Sequence, residues 1–224
     1  MTQTRSNQAD ARPQPWSPPT PLPERFETER LVLRWYVPSD APALFDAVSR
    51  SRGSMLPWLP WAEHDHRSVE ESLYNIEWFR RGRERWDDAF MNLAGYVLGA
   101  FDSRTGALIG GTGLNRFNRS THNAETGYWV SQQSRRRGYC SEMTAGLLTW
   151  AFTPQTRGGW GLRRVHIFAA SANAASCGVP RRLGLRQELH TLKDRWVEGH
   201  GWTDTLGWGV LAEEWDLVRS RVRP

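Results

Sequence analysis

Hydrophobic positions along the chain change period repeatedly, and each change marks an element. Leu31 and Leu33 alternate with Val32 and Arg34 in a β-rich run, which predicts a first strand. Pro38-Ser39-Asp40 then opens a helix from Ala41 to Ser49, with Leu44, Phe45 and Val48 on one face. The stretch Met55-Leu56-Pro57-Trp58-Leu59-Pro60-Trp61 is excluded from regular helix by its two prolines. Ser68 with Glu71 three residues on has the form of a capping box, and Val69, Leu73 and Ile76 carry that helix to about Arg85. From Gly95 the period falls to two. Residues 95–101 and 107–114 read as strands joined by Asp102-Ser103-Arg104-Thr105-Gly106, and 125–131 as a third. Met143, Leu147, Leu148 and Ala151 restore helical spacing over 141–152. A strand over 164–169, a short helix over 174–183 ended by Gly184, and strands near 187–196 and 203–211 follow. This order predicts a mixed α/β fold with seven strands and about four helices, an antiparallel meander first and crossover helices later.

Ahead of the periodic region, residues 1–24 hold six prolines and almost no apolar pattern, so a flexible Pro-rich arm is expected there. One folded domain is expected over 25–217 and a basic tail over 218–224. A chain of 224 residues suits one domain. Its size allows roughly 70% of the unfolded surface to be buried without metal or disulfide support. No apolar run approaches the ~20 residues of a membrane span, and the polar N-terminal stretch lacks the apolar segment of a secretory signal. Cys140 and Cys177 follow no metal-ligand spacing. A reduced, cytoplasmic setting is the expectation, and membrane-spanning, fibrous and disulfide-scaffold classes are excluded.

Charge adds a partner class. Of 29 basic residues only Lys193 is lysine, and the net charge is +5. A GC-rich genome accounts for the arginine excess more readily than an anionic ligand does, although planar guanidinium groups suit phosphate. The Trp count of 13 concentrates apolar volume in a few large side chains.

The segment richest in chemistry runs from Gly127 to Met143: a strand, then Arg135-Arg136-Arg137-Gly138, then an amphipathic helix. A helix entered from such a loop offers unpaired amides and the positive end of its dipole to phosphate. Gly138 allows close backbone approach. An exposed basic turn capping a surface helix accounts for the residues equally well.

Arg135-x-x-Gly138-x-Cys140 resembles the acyl-CoA loop of the GCN5-related N-acetyltransferase (GNAT) superfamily, with Cys140 in place of the usual small residue. The likeness extends to Thr28-Glu29-Arg30-Leu31-x-Leu33-Arg34, Leu56–Trp61, Ala124–Trp129, Asn173-x-x-Ser176, Leu183-Gly184 and Leu211-x-Glu213-Glu214-Trp215. These motifs resemble the RimJ/RimL-type branch, which acetylates ribosomal protein N-termini. The resemblance implies a sheet splayed at its central parallel strands, acetyl-CoA as co-substrate, and direct attack by a primary amine in a ternary complex. It implies backbone contacts to pantetheine from Trp129, Val130 and Ser131, and pyrophosphate held by amides from Arg136 through Gly138, Tyr139 and Cys140 to Ser141. Asn173 would touch the pantetheine. Glu125, five residues before Val130, is the candidate base, with a structural carboxylate–arginine pair as the alternative. Ser176 is the candidate donor to the leaving thiolate, since Pro180 stands where many members carry a tyrosine; Tyr139 is a weaker one. Gly178 and Pro180 depart from the pattern, and a helix bent there, or begun later, would weaken the donor site.

On the acceptor side, Trp58, Trp61, Trp78, Trp86, Trp196 and Trp202 fall in the segments that flank the expected cleft, with Trp58, Trp61, Trp86 and Trp202 the candidate substrate contacts. Glu63, Asp65, Asp87 and Asp88 are placed to attract a cationic amine or are simply solvated. His64-Asp65-His66 lacks a second ligand pair, so no metal is expected. The expected acceptor is a protein N-terminal α-amine or a small amine. The alternative is a binding module, either a lapsed acyltransferase that senses acyl-CoA or a basic domain on ribosomal RNA. No membrane partner is expected, nucleic acid enters only through the ribosome in the first reading, and a homodimer through the last strands is common in such folds.

Overall fold

The computed structural model describes residues 14–85 and 95–220. Trp86, Asp87 and Asp88 lie outside the described residues. Eight strands form one sheet: β1 (Arg25–Glu27), β2 (Leu31–Arg34), β3 (Tyr96–Asp102), β4 (Leu108–Asn118), β5 (Asn123–Val130), β6 (Arg164–Ala170), β7 (Arg186–Val197) and β8 (Gly201–Leu211). The helices are α1 (Ala41–Met55), α2 (Trp61–His64), α3 (Val69–Arg85), α4 (Tyr139–Phe152), α5 (Ala174–Arg182) and α6 (Ala212–Ser220). The sheet order is β1-β2-β3-β4-β5-β6-β8-β7, and among the described residues only β5 and β6 run parallel.

The architecture is the mixed sheet with an early antiparallel meander that the periodicity predicts, mostly antiparallel as the resemblance implies, with corrections at the short elements. There is an eighth strand, β1, of three residues, and there are two further helices, α2 of four residues and α6 of nine. Three or four residues are too few to display a period. The helix expected over Ala41–Ser49 continues to Met55.

Alternation along β5 sorts its residues between two cores. Ala124 joins the larger core, built from Leu31, Leu33, Met143, Leu147, Leu148, Val165 and Ile167 under α4, and Tyr128 and Val130 pack against it. Trp129, on the opposite side, packs against the smaller core of Tyr36, Leu44, Val48, Ile76 and Phe101 under α1 and α3. Glu125, Gly127 and Trp129 therefore share the α1–α3 face.

The expected free arm is corrected for its second half. Trp16 is only 5% exposed. It packs against Phe117 at 5.3 Å and Trp160 at 5.8 Å, which also contact each other at 5.2 Å, and its indole N–H donates to Trp160 O at 2.9 Å. Rigid aromatic area outweighs the polar composition of this stretch, so the packed structure takes in residues well before Phe26. At the other end α6 runs to Ser220, past the expected limit of 217.

Candidate functional site

The parallel pairing of β5 with β6 stops early. It holds at Asn123↔Arg164, Ala124↔Val165 and Glu125↔His166, and then the strands part. β5 stays paired to β4 as far as Val130, and β6 stays paired to β8 throughout. A wedge-shaped opening results, with its vertex at Glu125 and His166.

The backbone that faces the opening follows from hydrogen bonds on the other side. Ser131 N–H donates to Ile109 O at 2.8 Å, and Thr112 Oγ1 donates to Gly127 O at 2.8 Å, so Gly127 and Ser131 turn their polar groups toward β4. By strand alternation Tyr128 and Val130 turn theirs into the opening, unpaired by β6. On the other face Gly111 makes room for the Trp129 side chain: a Cβ there would lie 2.6 Å from Trp129 Nε1.

The loop after β5 is tied down on both sides. Gln132 N–H donates to Ser51 Oγ of α1 at 2.9 Å, Ser131 Oγ meets Ser134 Oγ at 2.9 Å, and the Arg135 guanidinium bonds Ser54 Oγ. Arg136 has φ 55° and Gly138 φ 80°, both left-handed, which swings the chain into α4. Gly138 is the N-cap and supplies no side chain, and the first helical bond is Glu142 N–H to Gly138 O. The amides of Tyr139, Cys140 and Ser141 thus precede the ladder and stay available, with exposed Arg136 and Arg137 beside them.

From the turn between β1 and β2, three donors converge on Glu142 in the first turn of α4. Thr28 Oγ1 donates to it at 2.6 Å, Arg30 N–H at 2.7 Å and Arg30 Nε at 2.6 Å, while Arg30 Nη1 also reaches Arg137 O at 3.1 Å. Arg30 and Glu142 pattern as ordinary strand-end and helix residues, so sequence reasoning passed over their pairing. The signal available was Thr28-x-Arg30 in a motif already singled out.

Tyr139 is buried. Its ring lies under Arg30 at 4.6 Å and its hydroxyl faces Asp102 at 3.5 Å, on the side of the β3–β4 hairpin. That direction removes its side chain as a donor into the opening. Cys140 is partly exposed at residue level, yet burial pushes its thiol up to about 12. A helix N-terminus alone does not activate it.

Across the opening stands α5. Asn173 caps it: its Oδ1 accepts from Ser176 N–H at 3.0 Å. Pro180 lies inside this helix, which runs from Ala174 to Arg182, so a start delayed to the proline does not occur. Tyr128 Oη donates to Ser176 O at 2.9 Å, joining β5 to α5. Ser176 Oγ has no hydrogen-bond partner among the described residues.

Glu125 occupies the vertex with its side chain 26% exposed and Arg116 Nε 3.4 Å away. Burial pushes its carboxyl above the usual range, and the charges of Arg116 and of Arg195 on β7 pull the other way. Arg116 owes its position to an irregularity between Asn115 and Asn118, where it takes φ 48°. On the same face, Trp61 meets Trp129 edge-on at 6.2 Å, and Trp58 lies 4.8 Å from His200 at the tip of the β7–β8 hairpin. Trp196 and Trp202 contact each other at 5.8 Å and remain 60% and 59% exposed. Trp78, on α3, packs against Phe79. Trp86 lies outside the described residues. Among the described residues no group of three or more His, Cys, Asp or Glu is placed to hold a metal ion.

Chemically, the arrangement offers an anion site at the start of α4, an open strand edge for an extended chain, and a carboxylate with a raised pKa where the two strands part.

Residues 30–186 match the model of the acetyltransferase (GNAT) domain family. YdaF of Bacillus subtilis strain 168, provisionally named a ribosomal N-acetyltransferase, is 26% identical over 190 residues, covering 84% of this chain and 94% of the relative. The solved structure of RimL, a ribosomal L7/L12 α-N-protein acetyltransferase in complex with coenzyme A, superposes with a TM-score of 0.68 at 22% identity, covering 84% of this chain and 98% of that one. The ribosomal-protein-S5-alanine acetyltransferase from Vibrio fischeri does so with 0.70 at 20% identity, covering 85% and 98%.

Proposed function

We propose that this chain, which belongs to the GNAT acetyltransferase family, transfers the acetyl group of acetyl-CoA to a primary amine and that the amine is a protein N-terminal α-amine. The observation that carries the reading is the early end of the β5–β6 pairing, which leaves the backbone of Tyr128 and Val130 facing an opening between Glu125 and the start of α4. The names of YdaF, RimL and the Vibrio fischeri enzyme support the choice of acceptor.

The residues present fit the co-substrate. Open amides from Arg136 to Ser141, a glycine N-cap and flanking arginines suit a pyrophosphate. The free edge of β5 suits an amide-bearing arm that pairs as an added strand would, through the backbone of Tyr128 and Val130; Trp129 and Ser131, expected as backbone contacts, instead turn these groups to β4, and Ser131 O accepts from Ser134 N–H. When bound, acetyl-CoA supplies an acetyl group activated as a thioester. Val130 N–H, turned into the opening, would donate to the thioester carbonyl oxygen and stabilise negative charge there. Glu125 would take a proton from the incoming ammonium, directly or through a water, leaving the nitrogen lone pair free to attack. Ser176 Oγ would donate to the departing sulfur. Asn173 serves as helix cap and keeps its amide nitrogen for the arm. Trp58, Trp61 and Trp202 would bound the acceptor cleft.

Thermal unfolding with and without acetyl-CoA tests the donor site. At a hundredfold excess over Kd, binding adds about 2.7 kcal/mol. The midpoint is then expected to rise by roughly 5–10 °C for a chain of this size, and Gly138→Asp to abolish the rise. No rise in the unaltered chain would refute the reading. A panel of N-terminal peptides and small amines, scored by release of free CoA, then tests the acceptor: preference for small amines would overturn the protein N-terminus.

A further inference from the structure

Pro180 is the seventh residue of α5, and its nitrogen carries no hydrogen. In a regular helix that amide would donate four residues back, to the carbonyl of Ser176. The missing donor comes from outside the helix: Tyr128 Oη bonds Ser176 O at 2.9 Å. Both backbone polar groups of Ser176 are therefore held by side chains, its N–H by Asn173 and its C=O by Tyr128. Its hydroxyl alone is uncommitted among the described residues.

We propose that Tyr128 is a positioning residue for the acyl-donor end of the site: its phenol replaces the helix amide that Pro180 removes, and so holds Ser176 at a set distance from the open edge of β5. This deepens, and rests on, the acetyl-transfer reading given above. Tyr128 is suited to the task because it touches both walls. Its backbone faces the opening from β5, and its side chain crosses on the α4–α5 face, where the groups closest to it electrostatically are Cys140, Cys177 and Arg182. Burial keeps the phenol protonated across the working pH range, so it stays a donor. A hydroxyl held on a residue whose backbone is clamped at both polar groups is pre-organised, which is what a hydrogen bond to a departing sulfur requires.

Four proteins decide it: the unaltered chain, Tyr128→Phe, Pro180→Ala and the double variant. Acetyl-CoA is the donor, and the best acceptor of the amine panel is the second substrate. In the Pro180 background, Tyr128→Phe is expected to lower kcat about tenfold while KM for acetyl-CoA moves less than about threefold. With Pro180→Ala present, the restored amide satisfies the Ser176 carbonyl, and the same change is expected to cost less than about threefold. Hydrogen exchange along α5 gives a readout independent of turnover: Tyr128→Phe should accelerate it, and Pro180→Ala should restore protection. An equal loss in both backgrounds, or no loss in either, overturns the positioning role. If the unaltered chain shows no acetyl-CoA shift in its melting midpoint, the acetyl-transfer reading falls and takes this one with it. A shift without coupling between Tyr128 and Pro180 overturns this one alone.

Discussion

Glu125 is subject to opposing influences on its proton. Burial raises its pKa, and the guanidinium groups of Arg116 and Arg195 lower it. A base works ionised, so the rate rises as pH passes upward through that pKa. Arg116→Ala removes one charge that favours the carboxylate, and the acidic limb of kcat/KM is expected to move to higher pH. A pH profile of the variant checks this, and an unmoved limb would detach Arg116 from the base. Glu125→Gln is expected to cut kcat by about 10²–10⁴ while the acetyl-CoA shift in melting midpoint persists. Loss of that shift would place Glu125 in donor binding instead. The resemblance of the β5 segment to the superfamily singled out Glu125, five residues before Val130, yet left Arg116 anonymous, because only the bulge brings it onto the same face. Cys140, which stands in place of the usual small residue of the loop, is chemically quiet. Burial pushes its thiol up to about 12 and leaves almost no thiolate at neutral pH. Maleimide labelling at pH 7.5 followed by mass spectrometry should leave Cys140 largely unmodified.

At the scale of elements, the start of α4 is anchored from the β1–β2 turn, more than a hundred residues earlier. Thr28 and Arg30 gather the Glu142 carboxylate, and Arg30 also holds the carbonyl of Arg137 in the loop. Arg30 is 43% exposed in its side chain, so the ion pair itself contributes little to stability. Its consequence is geometric, since it sets the direction in which the open amides point. Arg30→Met is accordingly expected to raise KM for acetyl-CoA by about three- to tenfold with kcat nearly unchanged. Initial-rate kinetics over a range of acetyl-CoA concentrations measure the split, and a fall confined to kcat would contradict it. Helix α5 shows what a single element leaves out. Considered one helix at a time, an interior proline predicts a bend or a later start. The donor that Tyr128 supplies comes from another element, and with it the helix stays whole.

For the molecule as a whole, the stack of Trp16, Phe117 and Trp160 fastens the stretch ahead of β1 to the far side of the sheet. Trp16→Ala should cost about 3–5 kcal/mol as a buried aromatic truncation. At roughly 2–4 °C per kcal/mol the melting midpoint is expected to fall by at least about 6 °C, with kcat at 25 °C little changed. An unshifted midpoint would show the stretch to be dispensable. The order and type of the long elements, the Arg/Gly loop before α4 and the carboxylate on β5 were all determined by sequence, because periodicity, loop chemistry and strand spacing are local properties of the chain. The tertiary structure alone decided which distant side chains meet: Arg30 with Glu142, Tyr128 with Ser176, Trp16 with Trp160, and Trp58 with His200. Those meetings depend on strand order, on where a parallel pair ends and on a single bulge. A one-residue irregularity turns a side chain to the other face of a sheet without leaving a mark on the hydrophobic pattern.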